Sequence, residues 1–256
     1  MPHKVVSLIS VGRHPQSGRS RRADQDGRAV ELGLKLAGTE LDVVHAGNAA
    51  EPVLRQYAGM GLAEVTILEQ DESADAIDAL SGYLAQAKAD IVLTGVRAES
   101  GESSGMVPYI LAEKLGWPIV ARVADIVDIK DGEAQVLLAL PRGQRRQVAV
   151  KLPFIASIDN AAEIARQSAF GPGMRAAMAT QVGSENTDVL RANWQEAPAK
   201  PRPKRLKVVK AKTAADRFKA ATAKPAGGSG KVMKNESAEE KAKAIFDLLI
   251  EEKVIR

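Results

Sequence analysis

Asp90–Pro118 reads DIVLTGVRAESGESSGMVPYILAEKLGWP, and its division into strand, loop and helix decides the fold. Ile91–Thr94 is a short apolar run rich in β-branched residues, the composition of a strand buried on both faces. Gly95 ends it, and Val96–Gly105 is rich in Ser, Gly and Glu and nearly free of apolar side chains. From Met106 the spacing is helical. Val107, Ile110, Leu111 and Leu115 fall at i, i+3, i+4 and i+8 and predict one apolar face. Ser103 and Ser104 stand where a helix N-cap is expected, and Gly105 leaves room for a ligand or another backbone. Such a loop turns free amide N–H groups and the positive helix end outward, which suits a phosphate. An ordinary capped helix after a surface loop has the same composition.

Upstream, the same unit recurs. Lys4–Val11 is a first strand, followed by the basic loop GRHPQSGRSRR. Asp24 and Asp26 open a helix with an apolar face of Ala29, Val30, Gly33 or Leu34, and Ala37; acids in a first turn favour the helix dipole. Leu41–Ala46 is a second strand ending at Gly47, and Ala50–Met60 is a helix carrying Val53, Leu54, Tyr57 and Ala58. Val65–Leu68 is a third strand, and Ser73 is the expected cap of a helix reaching about Ala87 with Ile77, Leu80 and Leu84. Strand and helix thus alternate four times in the first 116 residues, the signature of an α/β fold with a doubly wound, mostly parallel sheet. Ligands of such sheets sit beyond the C-terminal strand ends, where strand order reverses. Three tips are therefore the candidate site: Ser10–Arg13, Ala46–Gly47 and Gly95–Gly105. Neither G-x-G-x-x-G nor G-K-[ST] occurs at any of them.

Downstream the pattern changes. Ile119–Ile129, Glu133–Leu140, Gln147–Lys151 and Phe154–Ile158 read as strands, and Asp131-Gly132 between apolar runs is a hairpin signal, so an antiparallel hairpin is appended to the sheet. Asn160–Val182, with Gly171-Pro172-Gly173, reads as a mobile loop with some helix. From Gly183 to Gly230 apolar periodicity is lost, and Lys200–Lys224 holds ten Lys/Arg against one acid. Ser237-x-x-Glu240 is a capping box opening a helix with the stripe Ala242, Ile245, Phe246 and Leu249. That stripe must dock on a partner subunit or back on its own domain.

Composition bounds the chemistry. Of the 256 residues, 1–199 carry 20 Lys/Arg and 25 Asp/Glu, whereas 200–256 carry 16 and 7, so a mildly acidic body bears a basic tail. The chain has no cysteine, which excludes a thiolate nucleophile and cysteine-ligated metal, and its three histidines are far apart in sequence. No Ser lies in G-x-S-x-G. Aromatics make up 4% of the chain, poor material for stacking on nucleic acid. No run approaches a membrane span and no signal-peptide architecture is visible, so a soluble cytoplasmic protein without membrane insertion is expected.

Several motifs give the chain a resemblance to the β subunit of electron transfer flavoproteins. Gly95…Ser103-Ser104-Gly105 stands in place of that family's strand–G…N-Q-T-G loop. Leu115-Gly116-Trp117-Pro118 and Lys151-Leu152-Pro153 match its L-G-W-P and K-L-P, and Val11-Gly12-Arg13 and Ala58-Gly59-Met60-Gly61 are similar to its V-K-R and A-M-G-A. The segment from about Arg217 to Arg256 is similar to its partner-wrapping C-terminus. The resemblance implies an adenine nucleotide alpha hydrolase-like fold, with residues 1–182 as a nucleotide-binding-type domain bearing a recognition loop at 160–178. Residues 183–256 then form a basic linker and arm that wraps an α subunit through Ile245, Phe246 and Leu249. It implies an electron carrier rather than an enzyme, with FAD held mainly by the α subunit and, on the β side, AMP or, in the bifurcating branch, a second FAD. Electrons pass from a flavin-dependent dehydrogenase to a quinone reductase. Carried over residue by residue, nucleotide contacts fall on Ser10, Val11, Ala46, Gly47, Gly95, Glu102, Ser103, Ser104 and Gly105, with no metal ligand.

The chain departs from that family in two places. The acidic D-D-D-x-N-Q-T-G loop is replaced by Glu99–Gly105, without Asn or Gln amide donors and with two glutamates that repel a phosphate unless they turn outward. The dehydrogenase-recognition loop is altered too. Register puts Arg166, Phe170, Met174 and Arg175 on its Arg, Leu, Met and Lys, with Phe170 either an exposed anchor or a tucked core residue. The alteration points to a donor other than the acyl-CoA dehydrogenases, by analogy one serving N-methyl amine catabolism. The basic cluster Arg19, Arg21 and Arg22 is expected to face an acidic partner. The alternative is a free-standing, stress-protein-like nucleotide-binding module, which leaves the hairpin and the long tail unexplained.

Overall fold

The computed structural model describes residues 3–195, 197–199, 213–222, 233–251 and 254. The chain divides into two compact units, Met1–Gln195 and Glu196–Arg256. The first contains, in order, β1 (Val5–Leu8), β2 (Val11–Arg13), β3 (Ser20–Arg22), α1 (Asp24–Ala37), β4 (Asp42–Gly47), α2 (Leu54–Ala58), β5 (Glu64–Glu69) and α3 (Ala76–Ala87). It continues with β6 (Ile91–Gly95), α4 (Val107–Leu115), β7 (Ile119–Lys130), β8 (Glu133–Ala139), β9 (Arg145–Lys151), β10 (Phe154–Ile158), α5 (Phe170–Arg175), β11 (Ala177–Val182) and α6 (Val189–Ala192).

One sheet has the order β11-β5-β4-β1-β6-β10-β7-β8-β9. The strands from β11 to β7 pair in parallel, and β7-β8-β9 pair antiparallel. The central strands alternate between two apolar layers. Val5, Ile91, Leu93 and Phe154 pack with Val30, Leu54 and Tyr57 from α1 and α2. Val6, Leu8, Val92 and Ile155 pack with Ile77, Leu80, Leu84 and Leu111 from α3 and α4. Burial on both faces is why these strands read as unbroken apolar runs. Strand order runs outward from β1 through β4 on one side and through β6 on the other, so the switch point lies at β1.

The expected α/β, doubly wound, mostly parallel architecture is present, with local corrections. The first strand stops at Leu8, and the basic loop is a second small sheet in which Val11, Gly12 and Arg13 pair antiparallel with Arg22, Arg21 and Ser20. The helix expected over Ala50–Met60 is only Leu54–Ala58. Asp75, not Ser73, caps α3, accepting from Ile77 N at 2.9 Å, while the Ser73 hydroxyl donates to Asp71. On α4 the buried residues are Pro108, Leu111 and Ala112, whereas Val107 and Ile110 are exposed. Its N-cap is Met106, whose N–H reaches the Ser104 hydroxyl at 3.3 Å. The Asp131-Gly132 turn has φ of 52° and 78°, the left-handed pair of a tight hairpin turn. After that antiparallel excursion the chain returns to seat β10 between β6 and β7. The segment Asn160–Val182, read as loop with some helix, also holds β11, which pairs with β5 along all six of its residues.

The second unit holds α7 (Ala214–Thr222) and α8 (Ala238–Glu251). The capping box forms: Glu240 N donates to Ser237 Oγ at 3.2 Å and Ser237 N to Glu240 Oε2 at 2.9 Å. Among its described residues α8 buries none; Ile245 and Phe246 are exposed and Leu249 is half-buried. Most of the basic run Lys200–Lys224 lies outside the described residues.

Candidate functional site

The C-terminal ends of β1, β4 and β6 open onto a cavity of about 250 Å³. Ser10, Ala46, Gly95, Glu102, Ser103, Ser104 and Gly105 line it, as the strand-tip reading expects. Val11 and Gly47 do not. Val11 belongs to β2 and gives its carbonyl to the Ser100 hydroxyl at 2.6 Å, and Gly47 ends β4. Arg97, within the expected Gly95–Gly105 tip, lines the cavity too, as do Asp26 and His45, which were not among the expected residues.

Asp26 organises the floor. Its carboxylate accepts from Ser10 N (2.7 Å), Ser10 Oγ (2.5 Å) and Gly95 N (3.1 Å), stapling the tips of β1 and β6 to the first turn of α1. Burial pushes this carboxyl up to about 6, against the hydrogen bonds from Ser10 and Gly95 that favour its ionised form. Its sequence position carried the signal: Asp26 shares the i, i+3, i+4, i+7 face of Ala29, Val30 and Gly33, the face that packs inward. His45 is buried with Nδ1 3.0 Å from the Ile9 carbonyl. A carbonyl only accepts, so Nδ1 carries the proton and Nε2 is left as an acceptor; burial lowers the pKa of the ring and keeps it neutral. Tyr57 braces the same tip, its hydroxyl donating to Ser10 O at 2.8 Å and accepting from Ala23 N at 2.9 Å.

The loop side differs in charge. Gly101, Ser103 and Gly105 have φ of 69°, 55° and 76°, so every second residue of the loop is left-handed, a pattern found in anion-binding loops. Ser103 Oγ is committed to Ala98 O at 2.5 Å. Gln25 Oε1 holds the loop entrance through Val96 N (3.0 Å) and Arg97 N (3.3 Å). Glu99 turns away from the cavity, bound to Arg21 at 3.1 and 3.0 Å and to Asp24 N at 3.0 Å. That removes one of the two expected repulsions, while Glu102 stays at the cavity wall. Within the expected basic cluster, Arg21 thus pairs with Glu99 and Arg22 is half-buried, while Arg19 is exposed. The cavity is therefore acceptor-rich at Asp26 and His45 and cationic at Arg97. At about 250 Å³ it lies just below the usual ligand-pocket range of roughly 300–1,000 Å³. No group of three or more metal-ligating side chains occurs among the described residues.

The recognition-loop residues lie apart from this cavity. Arg166 is chelated by Glu31, with Nε at 2.8 Å and Nη2 at 2.6 Å, and this pairing holds the Glu31 carboxyl below its ordinary range. Phe170 is 83% exposed and Met174 52% exposed, so Phe170 is not a core residue; Arg175 is exposed too. Among the described residues no helix is long and apolar enough to cross a membrane.

Residues 17–187 match the electron transfer flavoprotein domain. Over 256 residues the chain is 48% identical to an electron transfer flavoprotein subunit beta of Chromohalobacter salexigens, spanning 99% of this chain and 96% of that one. The strand tips, the hairpin and the segment 160–178 are thus those of a chain that belongs to the electron transfer flavoprotein family, on its β-subunit branch.

Proposed function

We propose that this chain is the β subunit of a cytoplasmic heterodimer that accepts electrons from a flavin-dependent dehydrogenase and passes them to a quinone reductase. The near full-length likeness to a β subunit carries this reading. FAD is held mainly by the α subunit and supplies the one- and two-electron chemistry when bound. This chain contributes position and electrostatics. Residues 183–256 serve as linker and clasp, with Ile245, Phe246 and Leu249 closing on the α subunit. Segment 160–178 meets the dehydrogenase through Phe170, Met174 and Arg175.

A nucleoside monophosphate satisfies both ends of the strand-tip cavity in one orientation. Its phosphate answers Arg97 and the loop amides of Glu102–Gly105, and donors on the base or sugar answer Asp26 and His45. Acid release from the purified heterodimer should yield AMP at one per complex; a nucleotide-free complex contradicts that assignment. The redox reading is tested by mixing the heterodimer with a panel of flavin-dependent dehydrogenases, each reduced by its own substrate. One of them should bleach the flavin of the heterodimer, and a quinone reductase should restore it. A flavin that none of them reduces counts against the role.

A further inference from the structure

Arg55, on α2, takes no part in the strand-tip cavity. Its Nη1 donates to three carbonyls at the end of α5: Gly173 (3.1 Å), Met174 (3.1 Å) and Ala176 (2.7 Å). The last carbonyls of a helix have no intrahelical donor, and a cation there also answers the helix dipole. At the other end of the helix, Ala169 N donates to Gly59 O at 2.9 Å. The two backbones meet at glycines. A Cβ on Gly59 would lie 2.2 Å from Ser168 Oγ and 2.7 Å from Ala169 O, and one on Gly173 would lie 2.5 Å from Arg55 O. Upstream, the Glu31 carboxylate grips both the backbone N–H and the guanidinium of Arg166. Between these two clamps stand Phe170 and Met174, both exposed apolar side chains; Ile164, also exposed, lies upstream of the Arg166 clamp.

We propose that Arg55 is a positioning residue for partner docking. It fixes α5 so that Phe170 and Met174 meet the dehydrogenase already ordered, which removes an ordering cost from association. This rests on the reading that segment 160–178 is the docking surface. A guanidinium suits the task because it is planar and always charged. All three contacts come from Nη1, whose two N–H groups are shared among the carbonyls, and a lysine ammonium also gathers its donors on one nitrogen but at the end of a flexible stem, so it replaces the contact in part.

The test uses the heterodimer, with the dehydrogenase that reduces it in the assay above as the varied partner. R55A should raise the KM for that dehydrogenase about tenfold, or about 1.4 kcal/mol, with kcat and the flavin spectrum unchanged. R55K should recover part of the loss. F170A should raise KM on its own, and R55A added to F170A should cost less than R55A does alone, because only Met174 is left to position. Because the chain has no cysteine, a nitroxide on F170C in the full-length chain reports the loop directly. Its spectrum should sharpen when Arg55 is replaced. An unchanged KM in R55A and R55K beside a raised KM in F170A overturns the proposal and leaves the docking reading standing. An unchanged KM in F170A overturns both. If R55A does not fold, R55K and the nitroxide spectrum decide between the same outcomes.

Discussion

The strand-tip cavity and the Phe170 segment meet one problem, how to satisfy irregular backbone, with opposite chemistry. At the cavity the backbone presents N–H groups, and a carboxylate receives them: Asp26 takes Ser10 N and Gly95 N. At the segment the backbone presents carbonyls, and a guanidinium serves them: Arg55 reaches Gly173, Met174 and Ala176. Asp26 is buried, so its charge is desolvated and its carboxyl is pushed up to about 6. Arg55 is only half-buried, and its partners are backbone carbonyls, which do not titrate. The first arrangement faces inward and is sensitive to proton concentration; the second faces outward and is not.

The largest expected effect separates the two by pH. Between its ordinary value near 3.8 and about 6, Asp26 holds a proton in the folded chain that the unfolded chain has released. Its contribution to stability is therefore complete below the lower value and is lost as pH rises through about 6. Asn cannot titrate. The unfolding free energy of the native chain minus that of D26N should fall by about 2.4 kcal/mol from about pH 4 to about pH 7. The same difference measured for R55K should stay flat. Denaturant titrations at several pH values measure both, and parallel profiles would erase the distinction.

A smaller effect is expected where α5 sits on α2. G173A brings a Cβ to 2.5 Å from Arg55 O, so the backbones must part. The expected loss is about 2 kcal/mol in chemical unfolding, with hydrogen exchange accelerated across 168–176 and unchanged at Ser10 and Gly95. Acceleration at both places would mean that the two regions open together. The smallest effect is expected at Phe170. Because its side chain is 83% exposed, F170A should change stability by less than about 0.5 kcal/mol while it weakens association with the dehydrogenase. A large stability loss would place this side chain in the core after all.

Legibility in the sequence follows the same inward and outward division. Ile91–Thr94 could be read because both faces of β6 are buried, and the Asp131-Gly132 turn because two left-handed residues in succession restrict composition. Strand β11 could not be read: Thr180, Gln181 and Val182 are exposed at a sheet edge, and no apolar alternation marks them. The strand tips were found from topology alone. Asp26 was missed because an acid in a first helical turn has a sufficient explanation in the helix dipole, which masked its place on the inward face of Ala29, Val30 and Gly33. Arg55 was invisible for a similar reason. Its partners lie near residue 175, and nothing local to the α2 sequence predicts them.

The most direct test of the carrier role is the visible spectrum of this chain purified alone and purified with its α subunit. The expected result is a colourless chain by itself and a yellow, one-to-one complex with the α subunit. A chain that stays colourless in both preparations and binds ATP as a monomer would contradict it.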